Sequence, residues 1–443
     1  VVDAQSSGWL FRGFEQMLAG RPPLDATYFT ERICGICSAA HSIASSTALE
    51  NALAIYPSAH DQMLRGVIHG CEFLQNHLRH FYQYTLPDYI KGPNLAPLIP
   101  SSHQDYRLPS ADNQRLVDHY LASVRHSRLA HEALAVLGGK APHNHGNFVG
   151  GVTVNLDISK LTKVRSLIRE IMAFIDGAML DDVLTVARYY PEYYQMGASF
   201  GHLMSYGLYS SGLADVESYV SPQVLLDGNR LPLDPNLITE NVRYAWYRSE
   251  QENLKPSDYD EAAPAYGKED AYSWVKAPRY QGRPMEVGPL ARMWLSGRYQ
   301  RGLSAMDRTI ARVLEASLIA HIVDQLLQAV EPHPAQQRAI EIPNQATGRG
   351  LVDTTRGSLG HWVAISDKVI DHYTIITPSG WNLSPKDVHG VRGVAEQALI
   401  GTVISDLERP VEIGRIVRSF DPCVSCATHV YGGGGAPITL EIL

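Results

Sequence analysis

Five cysteines stand in this chain of 443 residues, and four of them form two C-x-x-C pairs. Cys34 and Cys37 lie near one end, Cys423 and Cys426 near the other, and Cys71 is left alone. A histidine follows each pair, His41 and His429. A disulfide-stapled fold is small and cysteine-dense, and this chain is neither. Four soft thiolates suit zinc, an iron–sulfur unit or nickel, and a single pair could also act as a redox dithiol. Structural zinc usually has its two cysteine knuckles within a few tens of residues of each other, and it has no need of the flanking Arg32 and Asp421. The spacing favours a catalytic metal and leaves structural zinc as the alternative. For either, the two ends of the chain must meet.

The elements that would bring them together read as mostly helical. Residues 41–56 are small and Ala-rich and stop at Pro57. Apolar residues recur at i, i+3, i+4 and i+7 over 60–84, 112–137, 158–190 and 303–330. The second of these windows runs from an Asp cap to Gly138-Gly139. The segments 86–110, 190–300 and 343–390 are rich in Gly, Pro and aromatics, with short β-like runs at Trp362-Val-Ala-Ile and Tyr373-Thr-Ile-Ile. The pattern predicts a mainly α chain, an elongated helical bundle with peripheral α+β segments, forming one domain over 1–443. Cys71 falls on an apolar helix face and reads as core.

Composition narrows the function. Thirty-eight Lys+Arg against 46 Asp+Glu give a formal charge of −8, which offers no reason to expect a nucleic-acid partner. No apolar run approaches the roughly 20 residues of a membrane span. The opening Val1-Val-Asp-Ala-Gln-Ser-Ser reads like the end of a strand and a turn, so a preceding N-terminal strand is expected.

Arg32-x-Cys34-Gly-x-Cys37-x-x-x-His41 with Asp421-Pro-Cys423-x-x-Cys426-x-x-His429 resembles the paired motifs of the large, catalytic subunit of nickel–iron hydrogenases. The similarity continues through Arg12-Gly-Phe-Glu15, His80-Phe-Tyr82, Gly138-Gly-Lys-Ala-Pro-His143, Lys276-Ala-Pro-Arg-Tyr280, Pro284-Met-Glu-Val-Gly-Pro-Leu-Ala-Arg292, Arg356-Gly-Ser-Leu-Gly-His-Trp362 and Trp381-Asn-Leu-Ser-Pro-Lys-Asp387, so it covers essentially the whole chain. The resemblance implies an enzyme that cleaves H2 into protons and electrons, in the uptake direction. It implies that Cys34 and Cys423 are terminal nickel ligands, and that Cys37 and Cys426 bridge nickel to an iron carrying carbonyl and cyanide. Cys423 and Arg356 become the candidate bases, with Asp421 holding Arg356. Arg356 has the alternative role of anchoring a cyanide, and Pro378 with Ser379 matches the position facing the other one. Glu15 and His429 match a second site for Mg2+ or Fe2+.

The same resemblance implies partners. With four cysteines committed, Cys71 alone cannot hold an iron–sulfur cluster, and no Gly-x-Gly-x-x-Gly segment supports a nicotinamide or flavin site. Electrons must leave through a small subunit carrying such clusters, with a membrane cytochrome or quinone-linked subunit as a further partner. The expected location is membrane-associated, on the periplasmic or the cytoplasmic face. The alternatives are an H2-sensing subunit and a non-catalytic subunit like the relative in respiratory complex I, which has lost the cysteine pairs. Two departures from the family pattern stand out: Asn76 where an acidic residue is common, and Thr355 where Pro usually precedes the arginine. Residues 430–443 resemble an extension that a maturation protease removes, expected to hold Cys423 and Cys426 away from the core until the metal arrives.

Overall fold

Local signals start and stop the long helices. In this computed structural model Ser58 caps helix α2 (Ala59–Arg79), its hydroxyl accepting from the Asp61 N–H. Asp157 does the same for α4 (Ile158–Phe174). Ser304 and Asp307 form a reciprocal capping box on α6 (Ala305–Ala329). Helix α3 (Ser110–Gly138) begins after Pro109 and ends on Gly139, whose positive φ turns the chain away. The description covers all residues except 94–102, 211–212, 214–215, 337–338, 424–425, 431–437 and 443; for 426–430 and 438–442 it covers the backbone alone.

Helix α2 packs on α3 and α6, and α4 packs on the same two, so the four close a ring around one apolar core. Leu64, Val67, Ile68, Cys71, Leu74 and Leu78 are the contribution of α2. Cys71 is fully buried there, and burial pushes its thiol up to about 12.

Taken whole, the chain is mixed α/β rather than mainly α, which corrects the sequence expectation. Strands β1 (Gln345–Thr354), β2 (Gly357–Ser366) and β3 (Val369–Ile376) form an antiparallel sheet in that order. The two β-like runs read from sequence lie inside β2 and β3. Helix α1 (Ser38–Leu53) lies on this sheet rather than in the helical ring. It is built from Ala and Ser, is buried on nearly every side, and carries no apolar stripe to pair with another helix. Gly348 and Gly350 of β1 admit it: a Cβ at Gly350 would stand 2.0 Å from the Ala44 carbonyl oxygen. No helix among the described residues is long and apolar enough to cross a membrane.

The β1–β2 turn is only Thr355-Arg356, closed by the Thr354–Gly357 pair. Gly357 has φ +131°, and a side chain there would strike Val287. The turn is pinned from the ring side. Arg292 donates from Nη1 to Thr354 O (2.9 Å) and from Nη2 to Thr355 O (3.4 Å). Glu315 of α6 grips the same guanidinium at 2.6 and 2.7 Å, and accepts from Tyr219 Oη (2.6 Å) and His77 Nε2 (2.8 Å). Burial alone would raise the Glu315 carboxyl, but Arg292 outweighs it and brings it down to about 2.

Glu315→Ala strands a buried guanidinium, and denaturant unfolding of the full chain is expected to show a loss of about 3–5 kcal/mol. The depressed carboxyl stabilises above its unfolded value and loses that contribution as pH falls toward 2. Glu315→Gln is therefore expected to flatten the acid side of the stability profile.

Candidate metal centre

The first cysteine pair is shaped by backbone N–H groups. Cys34 follows a single 3-10 turn, Glu31–Ile33, in extended conformation. Its Sγ accepts from Ile36 N at 3.4 Å and Cys37 N at 3.3 Å. Cys37 then occupies the N-cap position of α1, where the helix amides favour negative charge. From the far end of the chain, α7 (Val411–Ser419) delivers Phe420 and then Asp421, whose φ of +55° turns Cys423 inward. Cys423 Sγ stands 3.2 Å from Cys34 Sγ, and the three sulfurs of Cys34, Cys37 and Cys423 lie within 4.8 Å of one another. The chain ends do meet.

The protons of this cluster are shared unequally. S–H bonds from Cys34 and Cys37, then Arg356, hold Cys423 well below the usual thiol range. Hydrogen bonding to the neighbouring sulfurs and burial push Cys37 far up. Cys34 is also raised: the S–H bond from Cys37 lowers it, but the bond to Cys423 and burial outweigh that. A soft cation bound here would displace the protons that the three sulfurs share. The donor set fits nickel or another thiophilic metal.

Arg356 at the β1–β2 turn faces the cluster. Its Nε donates to Asp421 O (2.9 Å) and Oδ1 (3.1 Å), and its Nη2 to Asn76 Oδ1 (3.1 Å). Asn76 Nδ2 donates in turn to Asp421 Oδ2 at 2.7 Å, closing a ring of three side chains. The amide that departs from the family pattern thus serves as a neutral brace. Burial works against the Arg356 charge, but Asp421 and the cysteine sulfurs more than restore it. Burial would also raise Asp421; Arg356, His80 and Arg312 hold it far below the ordinary carboxylate range. Arg356 Nη1 is buried with no hydrogen-bond partner among the described residues. An orphaned N–H beside three sulfurs is the signature of a group to be bound there.

Pro378 opens a short helix, Pro378–Asn382, capped by Thr377. Ser379 Oγ accepts from Cys423 N at 3.3 Å, so this turn also fixes the second cysteine arm. Glu15 lies on the short helix Phe14–Leu18 and accepts from Ile375 N (2.9 Å) and Lys276 Nζ (3.3 Å). Lys276 is shared with Glu240 at 3.1 Å, beside an open cavity of about 240 Å³. Cys426 and His429 lie on β4 (Cys426–Val430), which pairs antiparallel with β5 (Ile438–Ile442). Their side chains fall outside the described residues, and so does the expected pairing of His429 with Glu15. The tail was expected to hold Cys423 off the core; instead Cys423 is already in contact with Cys34 while the tail is present.

Sequence reading missed Glu72. It sits on α2 one turn before Asn76, in a run of apolar residues, and that lone carboxylate was the available signal. It accepts from Ala39 N (2.6 Å) and Ala40 N (3.0 Å), the first amides of α1 after Cys37. Burial outweighs those bonds and raises it to about 8. Among the histidines near these motifs, His77 binds Glu315, His80 Nε2 binds Arg418 O (2.7 Å) and His143 Nδ1 binds Glu31 O (3.1 Å). His41 pairs with His361, and His145 lies edge-on to Tyr28.

Comparison with known proteins gives the same chemistry a context. The family model described as nickel-dependent hydrogenase matches residues 12–96, 91–302 and 297–429. The chain is 33% identical to the periplasmic [NiFeSe] hydrogenase large subunit of Desulfomicrobium baculatum, covering 97% of this chain and 90% of that one. It is 30% identical to the hydrogenase-1 large chain of Escherichia coli (strain K12), covering 99% and 92%. The H2-activated [NiFeSe]-hydrogenase structure from Dm. baculatum superposes with a TM-score of 0.91 at 34% identity, covering 96% of this chain and 93% of that one.

Glu72 yields a pH test. Its proton is bound more tightly folded than unfolded, so its favourable contribution is full below about pH 4.5 and is lost as pH rises through about 8. In the metal-free chain, Glu72→Gln is expected to remove that decline. Denaturant unfolding at pH 5 and pH 8 measures it.

Proposed function

The chain belongs to the nickel-dependent hydrogenase family, and on that premise we propose that it is the catalytic large subunit of a nickel–iron enzyme that splits H2 in the uptake direction. The observation that carries the reading is three sulfurs from opposite ends of the chain within 4.8 Å, with the orphaned Nη1 of a buried arginine beside them. A structural zinc knuckle has no use for that arginine.

Cys34, Cys37, Cys423 and Cys426 would hold a nickel–iron centre, whose iron would carry carbonyl and cyanide. When bound, such a centre polarises H2 for heterolytic cleavage and accepts its electrons. The side chains divide the remaining work. Cys423, whose sulfur lies within the field of the Arg356 guanidinium, would take the proton. Arg356 stays charged because Asp421 and Asn76 hold it, so its role is to donate from Nη1 rather than to act as the base. Pro378 and Ser379 line the opposite wall and keep the Cys423 amide in place. Burial of the cluster excludes bulk water from the proton transfer.

Glu15 with His429 would hold the second metal, Mg2+ or Fe2+, beside Lys276 and Glu240. Electrons pass to a small subunit with iron–sulfur clusters and onward to a membrane cytochrome or quinone-linked subunit, which places the enzyme at a membrane, with a periplasmic location favoured by the relative from Desulfomicrobium baculatum. Residues 430–443 act as an extension for a maturation protease. The family match ends at residue 429, and the tail's strand β5 pairs with the strand that carries Cys426 and His429. Its hold is thus on the last two ligands and not on Cys423.

Arg356→Lys keeps the charge and loses the planar fork. H2 oxidation is expected to fall by about two orders of magnitude with nickel content retained; near-parental turnover would remove Arg356 from the chemistry. For the tail, intact mass of the active, nickel-loaded protein is expected to show a chain ending at His429. Full activity in a chain still ending at Leu443 would sink the extension reading.

A further inference from the structure

Behind the first cysteine pair runs a buried chain of hydrogen bonds that the proposed chemistry does not use. His41 lies one turn along α1 from Cys37, on the same face, and its backbone N–H donates to Cys37 O at 3.2 Å. His41 Nδ1 meets His361 Nε2 at 3.1 Å. His361 Nδ1 meets Tyr373 Oη at 2.8 Å, and Tyr373 Oη donates to Ser45 Oγ at 3.0 Å. All four residues are buried. His361 is two residues after Leu359 on β2, and Leu359 belongs to the same buried apolar cluster as Cys34 and Cys37. The reach from helix to strand exists because α1 sits close on the sheet at Gly348 and Gly350.

The proton positions along this chain depend on one another. Where two ring nitrogens share a hydrogen bond, one must donate and the other accept. Tyr373 spends its hydrogen on Ser45 and offers His361 Nδ1 a lone pair. His361 then carries its hydrogen on Nδ1 and accepts at Nε2. His41 must donate from Nδ1, which leaves Nε2 as a bare acceptor. In the opposite polarity the Tyr373 hydroxyl donates to His361 Nδ1 and both rings carry their hydrogen on Nε2; reaching it takes one proton onto His41 Nε2 and releases one at Ser45.

We propose that His361 and Tyr373 are positioning residues of the metal centre, setting through this chain which ring nitrogen of His41 carries its hydrogen. Whether Nε2 of His41, one turn along α1 from Cys37, presents a lone pair or an N–H follows from that setting. The inference rests on the hydrogenase reading above.

Tyr373→Phe removes the hydroxyl and keeps the ring. In the purified holoenzyme with its small subunit, nickel per chain and KM for H2 are expected to be unchanged. The g-values and midpoint potential of the nickel signal are expected to shift, and kcat to fall about 10-fold, the scale for losing an outer partner of a ligand shell. His361→Gln, which retains a donor and an acceptor, is expected to shift these less than His361→Leu. In the metal-free full chain, 15N-histidine labelling is expected to show the ring-nitrogen shifts of His41 and His361 moving in Tyr373→Phe. Parental g-values and potential in both Tyr373→Phe and His361→Leu would overturn the proposal. So would nickel loss in step with activity loss, which is what a purely structural role predicts. A parent holoenzyme without nickel would overturn the hydrogenase reading and this inference together, and is distinguished because it shows before any substitution.

Discussion

The fully buried pair of Arg292 and Glu315 is the constraint on which the site depends. Two charges taken out of water gain little net stability over an apolar pair of the same volume. The return is in placement. Arg292 has spare donors after Glu315 is satisfied, and it directs them at the carbonyls of Thr354 and Thr355. Those carbonyls belong to the two-residue turn that carries Arg356. The helical ring and the sheet thus meet through hydrogen bonds with fixed directions, which apolar packing alone would not supply. His77, on the same carboxylate, ties in α2, the helix that also supplies Asn76 and Glu72 to the centre.

Charge balance around the centre follows from this frame. Arg292, Arg312 and Arg356 are buried cations; Glu315, Asp421 and the Cys423 thiolate answer them. Arg312 is the least well matched. Its Nη2 donates to Ser419 O (3.0 Å), while Nε and Nη1 find no partner among the described residues, and burial lowers it to about 10. It acts at the C-terminus of α7, where a cation complements the helix dipole, and it holds the arm that leads to Cys423. Arg415 anchors the start of that arm among Tyr89, Tyr190 and Tyr193. The cysteine from the far end of the chain is therefore delivered on a rigid helix rather than a loose tail.

How much of this could be read from sequence depended on how local each signal is. C-x-x-C is local: the turn that aims two sulfurs at one point is contained in four residues, so Cys34 and Cys37 declared themselves. Arg356, Asp421, Ser379 and Glu15 were legible only through resemblance, because their partners lie tens to hundreds of residues away. The mixed α/β class was missed for a physical reason. Helix α1 carries no amphipathic stripe because it is buried all round, and the strands that receive it showed in sequence only as two short runs. Glu72 was hidden by the opposite effect. A carboxylate inside an apolar stripe reads as a solvated position, and only the fold reveals that it caps α1.

The position of Cys423 bears on how the centre is filled. Three cysteine sulfurs are gathered in the described core, and the strand bearing Cys426 is paired with the tail strand β5. The three sulfurs form a soft donor set able to receive a metal. The fourth cysteine and the histidine that follows it lie on one five-residue strand, so whatever releases that strand releases both together. The folded core thus gathers three sulfurs from opposite ends of the chain, and the strand that follows them carries Cys426 and His429 side by side in sequence.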